Sequence, residues 1–129
     1  MDNGSSAEMS AKQIAAEVVK LPETFKAGNI SLFQLVNETG YCGMADEVSE
    51  ALIRAALGKH PAYAQSWIQY CEDKRSSGGW YIAPPDEENR YEIGYFTESL
   101  RRRHQVYYDN LLDATASFIK RELDTICES

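Results

Sequence analysis

Five side chains in this sequence could bind a soft metal or serve as a nucleophile and its base: Cys42, Cys71, Cys127, His60 and His104. Structural zinc sites are commonly built from pairs such as C-x-x-C or H-x-x-x-H, because one turn then presents two ligands at the right separation. No such pair occurs here, and the reading is no metal. Nucleophilic catalysis needs a cysteine or serine beside a positioned base. His60 precedes Pro61 and reads as a helix-start residue, while His104 follows Arg101-Arg102-Arg103 at the expected start of the last helix. No G-x-S-x-G, phosphate loop or dinucleotide fingerprint occurs. The stretch Ser76-Ser77-Gly78-Gly79 is glycine-rich but runs from an expected helix into an expected strand, the reverse of the order that cradles a phosphate. The expectation is a protein that is not an enzyme and has no cofactor.

Two other chemistries stay open. Glu72-Asp73 and Asp86-Glu87-Glu88 could hold a divalent cation in a small hydrolase or nuclease, although adjacent carboxylates are usually solvated faces. Arg101-Arg102-Arg103, interleaved with Tyr95, Phe96 and Tyr107, could make an RNA-binding adaptor through phosphate contact and stacking. The overall charge argues against nucleic acid as the main partner. Asp and Glu number 20 against 13 Lys and Arg, a net charge of −7, and neutralising phosphates needs a basic surplus. An acidic surface instead attracts basic proteins and speeds their association.

These residues must be positioned by a chain of 129 residues, one domain's worth. Residues 1–10 lack the basic start and apolar middle of a signal peptide and read as a mobile tail; residues 11–129 read as a single domain. No apolar run is long enough to span a membrane. Three cysteines at wide spacing read as small buried hydrophobes in a reducing cytoplasm rather than a disulfide framework.

Ile14, Ala15, Val18 and Val19 mark a first helix ended by Pro22. Ser31 can cap a second, with Leu32, Leu35 and Val36 on one face and Gly40 as its stop. A third is expected from near Asp46 to Gly58, with Val48, Ala51, Leu52, Ala55 and Ala56 inward. Pro61 opens a fourth, with Ala64, Trp67, Ile68 and Cys71 on its buried face. "WYIA" and "RYEIGYF", separated by "PPDEEN", predict an antiparallel hairpin near 79–96, and a lone ribbon would need further pairing, for instance across a homodimer. Residues from Tyr108 to Ile126 carry an apolar stripe interrupted at Thr115 and Glu122, predicting a final helix of about five turns that covers the hairpin. The fold class is α+β.

Within this frame Trp67, Trp80 and Ile82 are expected to be core, while the charged block between them faces solvent, because four ionised side chains could not be buried without partners. Glu72, Asp73, Lys74 and Arg75, with the turn Asp86-Glu87-Glu88, form the expected partner-facing surface. A competing reading has Asp73 or Arg75 tying the helix end to the hairpin. The order His60-Pro61, Trp67, Tyr70, Glu72-Asp73-Lys74-Arg75, Gly79-Trp80-Tyr81, Gly94-Tyr95 and Phe118-Ile119-Lys120 resembles small acidic bacterial immunity proteins of contact-dependent inhibition and other polymorphic toxin systems. The resemblance spans roughly residues 31–123 and is most specific at the "EDKR-SSGGWY" block. It implies a cytoplasmic protein that neutralises a cognate toxin, often a basic nuclease, by occluding its active site.

Overall fold

Capping chemistry sets the helix boundaries in the N-terminal half. In the computed structural model the described backbone covers residues 3–27, 31–73, 79–83, 85–96 and 102–128, and the described side chains are those of 11–24, 31, 33–71, 79–83, 85–96 and 105–128. The elements in order are α1 (Asn3–Val18), α2 (Leu21–Ala27), α3 (Leu32–Thr39), α4 (Tyr41–Met44), α5 (Glu50–Lys59), α6 (Ala62–Asp73), β1 (Gly79–Ile82), β2 (Tyr91–Phe96), β3 (Arg102–Tyr108) and α7 (Leu111–Glu128). The fold is α+β. Ser31 Oγ accepts the Gln34 N–H at 3.1 Å, and Gly40 ends α3 in the left-handed region at φ 82°, where glycine has no Cβ penalty. Helix α1 begins at Asn3, inside the stretch expected to be a tail.

Helix α5 differs from its expected form. It starts later than Asp46, because Ser49 Oγ accepts the Leu52 N–H at 3.2 Å and fixes Glu50 as the first helical residue. Its deepest residues are Ile53 and Leu57, while Ala51 and Ala55 are exposed. The larger side chains remove more apolar area from water and so take the inward face. Helix α6 matches its expected pattern: Ala64 and Trp67 are fully buried and Cys71 nearly so. The Trp67 indole N–H donates to the Val19 carbonyl at 2.9 Å, just past the end of α1, and its ring meets Tyr70 and Phe118 edge-on.

The expected hairpin forms and gains a third strand from the same chain. β1 and β2 pair antiparallel with Trp80 opposite Tyr95 and Ile82 opposite Ile93. β2 then pairs antiparallel with β3 in the order β1-β2-β3, with a register shift between Ile93 and Tyr95. This corrects the sequence reading, which placed Arg101–His104 at the start of the last helix and Tyr108 on it. Asn110 is the reason. Its Oδ1 accepts the Leu112 and Asp113 N–H groups at 2.8 and 3.2 Å, so the helix starts at Leu111. The β-favouring run Val106-Tyr107-Tyr108 ahead of it stays extended.

Helix α7 lies between the sheet and the N-terminal helices, touching α3, α4, α5, α6 and all three strands. Residues Ala114 to Ile119 are all buried, so the helix is enclosed there and not merely amphipathic. The Trp80 indole donates to Thr125 Oγ1 at 2.8 Å, tying β1 to α7. On the opposite sheet face Tyr81 lies over Gly94, where an added Cβ would fall 2.5 Å from the phenol oxygen, and Phe96 packs against the same ring at 4.5 Å. Glycine at 94 is what lets that ring lie flat.

The cysteines also depart from expectation. Cys42 on α4 and Cys127 on α7 form a disulfide across a sequence separation of 85, with Cα atoms 5.4 Å apart. Only Cys71 remains a buried thiol, its Sγ accepting the Ile82 N–H at 3.3 Å. Packing of α4 on the end of α7 makes the pair, and no spacing rule could reveal it.

Candidate functional site

The turn between β1 and β2 is built by one carboxylate. Asp86 Oδ1 accepts the Glu88 and Arg90 N–H groups, both at 2.9 Å, and Oδ2 accepts Arg90 Nε at 3.2 Å. The Asp86 N–H donates to the Arg90 carbonyl and the Asn89 N–H to the Asp86 carbonyl, each at 3.0 Å. Asn89 turns the chain at φ 59°, a conformation asparagine tolerates better than most side chains. The Arg90 N–H, the largest influence, together with the Glu88 N–H and the Arg90 guanidinium, outweighs the opposing desolvation and holds the Asp86 carboxyl below the usual carboxylate range.

Asp86 is therefore spent on the turn, and its neighbours are presented outward. Glu88 places one oxygen 3.3 Å from Arg90 Nε, yet its side chain stays 71% exposed. Glu87 is exposed, and among the described residues it has no ion pair. Arg90 caps the group from the sheet side, its guanidinium carbon 4.7 Å from the centre of the half-exposed Tyr107 ring.

Strand register extends this acidic turn. Tyr91, directly after Arg90, pairs with Tyr108, so the sheet end that carries the turn also carries Asp109 and the start of α7. Asp113 in the first turn of α7 accepts Arg54 Nε at 2.7 Å, both side chains remaining well exposed. A shallow hollow of about 320 Å³ lined by Glu50, Arg54, Tyr108 and Asp113 joins the beginning of α5 to the same region. Among the described residues, Asp86, Glu87, Glu88, Asp109, Asp113 and Glu50 are thus set against Arg54 and Arg90, an acidic balance. Asp109, Asp113 and Glu50 were not singled out from the sequence. Only the β2–β3 register and the α5–α7 contact bring them there.

The other half of the expected surface is described in part. Glu72 and Asp73 end α6, and their side chains lie outside the described residues, as do Lys74 and Arg75 altogether. Cys71, one residue before Glu72, touches Ile82, the last residue of β1. The end of α6 and the hairpin end are neighbours at the backbone level. Of the Arg101–Arg103 cluster, Arg102 and Arg103 belong to β3, with side chains outside the described set, and Arg101 lies outside it entirely.

Two titratable clusters, each built on a buried side chain, hold α7 in place. Tyr41 is fully buried; its hydroxyl donates to Asp124 Oδ1 at 2.5 Å and accepts from Lys120 Nζ at 2.9 Å. Lys120 also donates to the Ala45 carbonyl at 2.6 Å. Tyr70 donates to Glu122, itself only 4% exposed, at 2.7 Å. Burial first, then the adjacent carboxylate, pushes both phenols far above their ordinary range. Neither phenol is poised to take or give a proton near neutrality. These groups fasten helices together.

Among the described residues no group of three His, Cys, Asp or Glu side chains is placed to hold a metal ion, and no helix is long and apolar enough to cross a membrane. Comparison with known proteins finds no family model that matches the chain, and no significantly similar curated protein or solved structure.

Proposed function

We propose that this chain is a non-catalytic binding protein of the immunity type, which neutralises a cognate toxin by covering its active site, the toxin being a basic nuclease. The acidic end of the sheet carries the reading. Glu87 and Glu88 project from a turn that Asp86 holds rigid, and Asp109, Asp113 and Glu50 continue the same charge beside them. A preformed surface of one sign attracts a basic partner over a distance and loses little freedom on binding it. The resemblance of the 72–81 block to immunity proteins supports the same role. The test is co-expression with any toxin gene found immediately beside the gene for this chain. The native chain should restore growth, and a Glu87→Lys, Glu88→Lys double variant should protect less. A toxin that stays fully lethal beside the folded native chain overturns the proposal.

This role places the protein in the cytoplasm, where an incoming nuclease meets its substrate. The Cys42–Cys127 disulfide favours a second reading, in which the same surface works in an oxidising compartment, since disulfides are rare in the reducing cytosol. Acid quenching of cells followed by alkylation of the denatured protein separates the two. Modification of all three cysteines on denaturation places it in the cytoplasm; modification of Cys71 alone places it outside.

A further inference from the structure

We propose that the groove between α1 and α5 binds a small anion with an apolar body, a carboxylate, sulfonate or phosphate carried on a hydrocarbon chain. The groove encloses about 430 Å³ and is completed by Tyr63 of α6. That is the scale of small-molecule sites, which run to roughly 300–1,000 Å³. Its floor is apolar, with Leu52 and Ala56 half-buried there, and small alanines on both helices leave the space between them open.

The rim has the opposite sign to the molecule. Lys12, Lys20 and Lys59 line it against the single acid Glu17, on a chain whose net charge is −7. Lys20 is taken up by Glu17 at 3.2 Å. Among the described residues neither Lys12 nor Lys59 has an ion-pair partner, and both are exposed. Lys59 sits in the last turn of α5, where a cation also complements the helix dipole. Lys12 lies in the interior of α1, away from either helix end. Lysine stems can lie along apolar walls while their ammonium groups stay at the water boundary. A hydrocarbon chain along Leu52 and Ala56 would leave its anionic head at the rim, where the exposed ammonium groups of Lys12 and Lys59 supply the attracting charge. The acidic sheet end would repel such a ligand, so the two surfaces select different partners, and this site stands whether or not the chain neutralises a toxin.

Calorimetric titration of the full chain at low ionic strength with decanoate and with decanol, the same chain length without the charge, tests the assignment. Decanoate should bind one to one, and decanol at least tenfold more weakly. The double variant Lys12→Ala, Lys59→Ala should lose about tenfold in decanoate affinity and none for decanol. Ala56→Trp should fill the floor and abolish both. No decanoate binding, equal binding of the two compounds, or undiminished decanoate binding by the lysine variant overturns the proposal. A dimer in the same samples that dissociates on Ala56→Trp assigns the groove to a second copy and overturns it too.

Discussion

The seam between α4 and α7 and the turn between β1 and β2 assemble the same residue types to different ends. Each joins an aspartate, a basic side chain and a tyrosine: Tyr41, Lys120 and Asp124 at the seam, Asp86, Arg90 and Tyr107 at the turn. At the seam the phenol is fully buried and has both a donor and an acceptor partner. At the turn the tyrosine ring is 46% exposed and the glutamates beside it point into water. The aspartates are about equally exposed, Asp124 at 39% and Asp86 at 38%, and the difference is burial of the tyrosine and of the basic side chain. Away from water each unmade hydrogen bond carries its full desolvation cost, so the seam closes on itself. In water the carboxylates stay hydrated, and their hydration can be exchanged for a partner.

The largest effect expected from breaking this contrast is at the seam. Tyr41→Ala removes a buried ring and leaves Lys120 and Asp124 without the hydroxyl between them, and should cost about 3–5 kcal/mol in urea unfolding, the range for deleting a buried aromatic side chain. A loss below about 1 kcal/mol would show that the seam is as tolerant as the turn.

The two regions should also titrate at opposite ends of the pH scale. Tyr41 and Tyr70 have phenols raised by burial in the folded state. Their contribution is whole below the unfolded phenol value of about 10 and is lost as pH rises beyond it, because the unfolded chain then releases protons that the folded chain keeps. Unfolding followed from pH 8 to 11 should show stability falling above about 10, with Tyr41→Phe flattening the slope. Asp86 behaves in reverse. Its folded carboxyl is depressed, so its contribution is present above the unfolded value of about 3.9 and disappears as pH falls through the lower folded value. Asp86→Ala should therefore be less stable than the native chain at pH 6 and approach it as pH falls below the unfolded carboxylate value of about 3.9. A constant difference across that range would mean that the carboxylate does not hold the turn as an anion.

The smallest effect belongs to the rim. Glu87→Lys should change stability by no more than about 0.5 kcal/mol, the range for exposed positions without a partner. A loss of 2 kcal/mol would place Glu87 with the seam, among the structural charges.

Where the sequence was legible, local chemistry was enough. Ser31 and Gly40 bound α3 because a serine hydroxyl and a left-handed glycine act within a few residues of themselves. The hairpin was readable because two β-favouring runs flank a turn-rich one, and Trp67 because it shares a helical face with Ala64 and Cys71. β3 was also present as the Val106-Tyr107-Tyr108 run, but the adjoining apolar stripe read as one long helix until Asn110 was seen to cap it. Of the candidate surface, the turn could be read and its organisation could not. Asp86, Glu87 and Glu88 look alike as neighbouring acids, yet backbone N–H groups converge on Asp86 alone.

By itself, then, the sequence determined the acidity, the α+β class with helices ahead of the hairpin, and several capped and turned positions, all set by interactions spanning a few residues. The tertiary structure alone decided that Cys42 meets Cys127, that Tyr41 lies between Lys120 and Asp124, and that Glu50, Asp109 and Asp113 join the hairpin turn. Those pairings depend on how α7 is enclosed by elements far from it in the chain, and no local propensity encodes a contact across 85 residues.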